Sequence, residues 1–246
     1  MAKGRIRAGI GGWTFEPWRG SFYPADLKQR DELAYAASKL TAIEINGTYY
    51  SSFKPESFRK WADAAPEGFV FSVKASRFCT NRKKLAEGAE SISRFLGQGL
   101  TELGDKLGPI LWQFMATKAF DPDDFAGFLA LLPPSVEGTP LRHALEVRHE
   151  SFRDPAFLAM ARAANAAVVF ADHDTHPMIE EQTADFSYAR LMRTRGDEPT
   201  GYAPKELDAW ADRAREWADR GDTYVFFISG AKVRAPAAAM AFIERV

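Results

Sequence analysis

Ala144-Leu145-Glu146-Val147-Arg148-His149 brings an acid, a guanidinium and an imidazole together within one short stretch. In an extended chain successive side chains alternate between faces, so Glu146 and Arg148 share a face with Ala144 while Leu145 and Val147 take the other. One face is apolar; the other can pair charges or exchange protons. The pattern recurs. Glu44 and Asn46 share a face in Ala42-Ile43-Glu44-Ile45-Asn46, Ser72 and Lys74 in Phe69-Val70-Phe71-Ser72-Val73-Lys74, and Tyr188 and Arg190 in a later stretch. Gln113 and Asp172 close two further apolar runs.

Brought together, Glu44, Glu146 and Asp172 supply three negative charges and Lys74, Arg148 and Arg190 three positive ones, a balanced set. An unpaired buried charge is costly, so these groups are expected to pair when no ligand is present. One reading is a salt-bridge network that fixes strand register. The other is a pocket for a polar ligand carrying phosphate, carboxylate or hydroxyl groups, with Lys74, Arg148 and Arg190 gripping the anion and arginine suited to bidentate contact. Catalysis then falls to Glu44, Lys74 and Glu146, because burial beside basic groups tunes a carboxylate as general acid or base. Asn46, Gln113, His149 and Asp172 extend the polar lining. Trp13 and Tyr49 lie in loops where a sugar or base could stack, although packing of those loops explains them equally well.

Two other chemistries have weaker warrants. Asp172-His173-Asp174-Thr175-His176, with Glu146 and His149, has the residue types of a divalent-metal site, but adjacent side chains diverge and no metal ligands are assigned. Arg77, Arg82, Lys83, Lys84, Arg193 and Arg195 could line one mouth with positive potential, the footprint of a nucleic-acid binder or phosphodiester hydrolase. Gly9-Ile10-Gly11 has Thr14 where a dinucleotide fingerprint needs its third glycine, and no P-loop pattern occurs.

Such groups meet only if their elements aim them at one place. Strand patterns occur near 6–10, 42–46, 69–74, 109–114, 144–148, 166–171, 187–192 and 223–229, with helical spacing between most of them. The stretch 85–103 reads as the longest helix, and the segment before Phe186 has no clear helix. Eight strands with helical links in 246 residues predict an α/β fold, a TIM-type (β/α)₈ barrel forming a single domain over 1–246. Polar residues at the carboxyl ends of six different strands fit a closed barrel better than an open sheet, which binds at one switch point.

Composition bounds the rest. A formal net charge of −1 gives no bulk attraction to nucleic acid or to an acidic membrane. Cys79 is the only cysteine, so no intrachain disulfide can form. The opening residues lack the apolar run of a signal peptide, and no stretch is apolar enough for a membrane span, so a cytoplasmic protein is expected. Nothing in the sequence sets the oligomeric state.

Gly9-Ile10-Gly11-Gly12-Trp13, Trp18, Phe22-Tyr23-Pro24 and Ile43-Glu44-Ile45-Asn46-Gly47-Thr48-Tyr49-Tyr50 resemble the opening of the YecE-like proteins, a family of unknown function. Phe69 to Lys74, Leu111-Trp112-Gln113, Glu146-Val147-Arg148-His149 and Tyr188-Ala189-Arg190-Leu191 resemble its later motifs in the same order. The resemblance implies a TIM-type barrel and brings no established reaction. The chain departs from the pattern at Thr80-Asn81, Met192-Arg193 and Ile228-Ser229-Gly230, where Thr-His, His-Gly and an asparagine-rich end are expected. Two potential proton carriers are thereby replaced, while the sets on the second and fifth strands are intact.

Overall fold

The computed structural model describes residues 3–246; Met1 and Ala2, the start of the opening read for a signal peptide, lie outside them. The barrel strands in chain order are β1 (Ile6–Gly11), β2 (Ala42–Ile45), β3 (Val70–Lys74), β4 (Leu107–Gln113), β5 (His143–Glu146), β6 in two pieces (Ala167–Val168 and Phe170–Asp172), β7 (Phe186–Leu191) and β8 (Asp222–Phe227). Each pairs in parallel with its neighbours in sequence, and β8 returns to β1 with Tyr224 opposite Arg7. The first piece of β6 pairs with β5 and the second with β7. Val169 between them donates its N–H to the Leu145 carbonyl at 3.0 Å. The ring therefore closes through one strand with a one-residue break, which makes the architecture a TIM-type α/β barrel.

The helices are α1 (Glu32–Lys39), α2 (Pro55–Ala64), α3 (Arg77–Thr80), α4 (Ala89–Leu96), α5 (Pro122–Ala130), α6 (Pro155–Ala163), α7 (Pro204–Ala218) and α8 (Ala235–Ile243). Their starts follow local chemistry. Asp121 accepts from the Asp124 N–H at 3.2 Å and Asp154 from the Ala156 N–H at 2.8 Å, each followed by a proline with a preset φ. The helix expected over 85–103 is broken instead: 3₁₀ turns at Leu85–Glu87 and Leu100–Lys106 flank α4. Gly97 ends α4 and Gly99, at φ +105°, turns the chain where a side chain would be strained. The longest helix is α7. No helix links β6 to β7, as the sequence predicts.

Alternation along the strands makes two cores. Outward-facing Ile43, Phe71, Trp112, Leu145, Phe170, Leu191 and Phe227 pack beneath the helices. Inward-facing Ala42, Val70, Leu111, Ala144, Ala167, Val169, Phe186, Tyr188, Tyr224 and Phe226 plug the barrel. Above that plug, toward the strand carboxyl ends, the inward residues are charged or polar. Among the described residues no helix is long and apolar enough to cross a membrane.

Candidate active site

Arg190, on β7, is the centre of the polar layer and is almost wholly enclosed. Its Nε and Nη2 donate to the two carboxylate oxygens of Glu44 on β2 at 3.1 and 3.0 Å, a bidentate contact. Its Nη1 pairs with Glu146 at the end of β5 and reaches the Gln113 side-chain oxygen at 3.4 Å. Arg148, just past β5, donates to the other Glu146 oxygen from Nε at 2.6 Å and to the Gln113 oxygen from Nη2 at 2.7 Å. Tyr188, two residues before Arg190 and on the same face, donates to Glu44 at 2.8 Å, with the Ser72 hydroxyl 2.8 Å behind it.

The charges set each other's protonation. Burial alone would raise the Glu146 carboxyl, but Arg190, Arg148 and Lys74 outweigh it and hold the group down to about 2. Burial works against the Arg190 cation, and Glu146 and Glu44 more than compensate, so its affinity for the proton rises. Burial and the Glu44 charge push the Tyr188 hydroxyl well up, so it stays a neutral donor. Lys74, at the end of β3, differs. Among the described residues no carboxylate lies within the 4 Å of an ion pair, and its ammonium instead sits 4.4 Å over the Tyr49 ring. Burial and Arg190 bring it down to about 8.

A cavity of about 670 Å³ opens above this layer. Lys74, Gln113, Arg148 and Arg190 form one wall, and Trp13, Trp18, Phe53 and Trp61 an aromatic wall, with Lys232 also reaching the rim. Gly11, Gly12, Asn46 and Ile228 make the side where β1 carries no side chain. Glu44 and Glu146 are 0% exposed and do not reach the cavity. The charged groups on its wall are therefore all cations.

The other sequence-based candidates divide. Asn46 and Trp13 line the cavity, Trp13 edge-on to Trp61 with ring centroids 5.3 Å apart. Tyr49 lies one layer back, with its ring under Lys74 and its hydroxyl accepting from Asn81 at 3.0 Å. His149 turns back on its own chain, its Nδ1 accepting the Ser151 N–H at 3.2 Å, and is not on the cavity wall. Asp172 corrects the expected grouping. In β6 the inward positions are Ala167, Val169 and Ala171, so Asp172 faces outward, 3.4 Å from Arg193 and within 3.3 Å of the Tyr202 hydroxyl. Without it the inner cluster holds two acids and three bases, a net +1 in place of the expected balance. Burial raises the Asp172 carboxyl against the pull of Arg193.

His173 and His176 stack face to face, centroids 3.8 Å apart, and among the described residues no group of three or more His, Cys, Asp or Glu side chains is gathered to hold a metal. Of the six basic loop residues, Lys84 pairs with Asp121, Arg193 with Asp172 and Asp174, and Arg195 with Glu198 and Glu206. Strand parity set Tyr188 on the face of Arg190 in the sequence, but no role in the site was assigned to it. Sequence reading passed over Trp61 and Lys232, on α2 and after β8, for which no local signal exists.

A closed parallel barrel with a charged layer at the carboxyl ends of its strands and a cavity above it is the TIM-type arrangement. The chain belongs to the family described as protein of unknown function DUF72, whose model matches residues 7–246. It is similar to the crystal structure of a DUF72 family protein from Thermotoga maritima, at 23% identity, covering 98% of each chain with a TM-score of 0.76. A DUF72 family protein from Enterococcus faecalis is similar at 20% identity, TM-score 0.75, over 99% of this chain and 98% of that one. The structure of SacUVDE shares the fold at 10% identity, TM-score 0.59, over 98% and 99%. No curated protein matches the sequence.

Proposed function

We infer that the protein binds a small molecule carrying a phosphate or carboxylate group in the cavity at the carboxyl end of the barrel. The carrying observation is the sorting of charge: Glu44 and Glu146 are sealed behind the arginines, so among the described residues only Lys74, Arg148, Arg190 and Lys232 present charge to the cavity. Arg190 has given its donors to Glu44, Glu146 and Gln113, whereas Lys74 has no carboxylate of its own, so an incoming anion finds its partner there. The aromatic wall of Trp13 and Trp61 suits the apolar or planar remainder of the ligand. Within this reading Glu44 and Glu146 hold the guanidinium groups in place, and proton exchange at the wall belongs to Lys74. The motifs that resemble the YecE-like proteins supply most of this layer, so the same reading extends to that narrower grouping.

Thermal melts with inorganic phosphate, phosphorylated sugars and carboxylic acids at constant ionic strength test it. An anion present at one hundred times its Kd stabilises by about 2.7 kcal/mol, or about 5–10 °C for a chain of this size. Lys74→Met removes a poorly partnered ammonium, so it should keep or raise the ligand-free Tm while weakening the anion about tenfold or more. No anion-dependent shift, or the same shift in Lys74→Met, overturns the reading.

A further inference from the structure

We propose that Lys74 is a nucleophile that forms an imine with a carbonyl compound bearing a carboxylate or phosphate; this rests on the binding reading above and names the ligand's reactive group. Three observations converge on it. Lys74 lines the cavity with no carboxylate among the described residues in ion-pair range, although two glutamates lie in the same layer. Those glutamates are instead committed to Arg190 and Arg148, whose permanent charges act on the amine. Arg148 lines the same cavity, so a permanent cation is on hand there for the carbonyl's anionic substituent while Lys74 attacks the carbonyl.

The groups facing Lys74 act in both directions. The Tyr49 ring face, Glu44 and Glu146 favour the ammonium, while burial, Arg190 and Arg148 favour the amine. The outcome is a pKa of about 8, which makes the free amine about a hundredfold more abundant near neutrality than on an ordinary lysine. In the step itself the nitrogen lone pair forms the C–N bond, and the carbonyl oxygen takes the proton that nitrogen loses. A second proton, delivered from bulk solvent, lets that oxygen leave as water, and the nitrogen is left as a protonated imine. The net change is amine plus carbonyl plus one proton to iminium plus water, with no change in oxidation state.

Phenylpyruvate and phenyllactate are matched probes, since both carry a carboxylate and an aromatic ring and only the first has the carbonyl. The protein is incubated with phenylpyruvate and sodium cyanoborohydride, digested and mapped by mass. The expected result is a gain equal to the acid less one oxygen on the peptide holding Lys74, about a hundredfold heavier than on exposed Lys83 or Lys205. Excess phenyllactate suppresses it, and its rate rises with pH to a plateau above about 8. Lys74→Arg cannot form the imine, so it should give no adduct. Phenyllactate binding without an adduct on Lys74, or labelling no heavier there than on Lys83, overturns the imine and leaves the binding reading standing. If neither acid binds or labels, both fall.

Discussion

Arg190 satisfies two carboxylates at once, and that double engagement decides what removing either one does. Glu146 is fully buried between Arg190 and Arg148, so Glu146→Gln keeps the shape but leaves two guanidinium groups short of a counter-charge. Breaking a buried pair from one side costs about 3–5 kcal/mol, read as a lower urea midpoint with an unchanged slope. The pH dependence has a definite sign. The Glu146 carboxyl lies lower in the folded protein, about 2, than its ordinary 4.5. Its contribution is therefore complete above about 4.5 and is lost as pH falls through 2, a change of about 3 kcal/mol. Glu146→Gln should remove this acid-side slope from urea titrations run across that window; an unaltered slope would mean that other carboxylates govern acid unfolding. Parity alone placed Glu44, Glu146 and Arg190 on one face of their strands, so this part of the layer was legible. Asp172 was misplaced because its neighbour Ala171 holds the inward position, and a small residue leaves no chemical mark of that role.

At the scale of elements, β1 shapes the cavity by what it lacks. A Cβ on Gly9 would fall 1.7 Å from the Ala42 carbonyl oxygen, so glycine is required for β1 to lie this close to β2. A Cβ on Gly11 would instead meet the ends of two side chains, Asn46 Nδ2 at 2.6 Å and Ile228 Cδ1 at 2.7 Å, both on the cavity side. The two substitutions should separate. Gly9→Ala should destabilise by about 3 kcal/mol or prevent folding, since a backbone must move. Gly11→Ala should cost less than about 1.5 kcal/mol, because side-chain ends can shift, yet weaken anion binding about tenfold by crowding the cavity. Melting temperature and titration calorimetry on the pair check this, and equal stability losses would contradict it. The strand order and most helices were legible because period-2 and period-3.6 patterns are local. The breaks around α4 were less so, since whether a glycine interrupts a helix depends on what packs against it.

The whole barrel depends on how it closes at β6, the one strand in two pieces. Its residues are short of regular neighbours there, and the 173–185 segment that follows supplies no covering helix. A single hydroxyl stands in. Thr183 Oγ1 accepts the Val168 N–H at 2.9 Å and donates to the Ala166 carbonyl at 2.6 Å, both within buried surroundings, so one side chain bridges the strand from outside the sheet. No pattern in the sequence announces this, because the two partners are ordinary backbone groups and the threonine lies in an irregular stretch. Thr183→Val keeps the volume and branching but leaves a buried N–H and a buried carbonyl unsatisfied, which costs about 2–6 kcal/mol at about 1–3 for each group. The loss should be local before it is global. Amide exchange in β6 and in 173–185 should quicken well before that of β1 to β4, because a ring opens first at its least-bonded junction. If Thr183→Val instead speeds exchange uniformly, or leaves β6 as protected as β3, closure does not depend on that hydroxyl and the ring is held by its side-chain core alone.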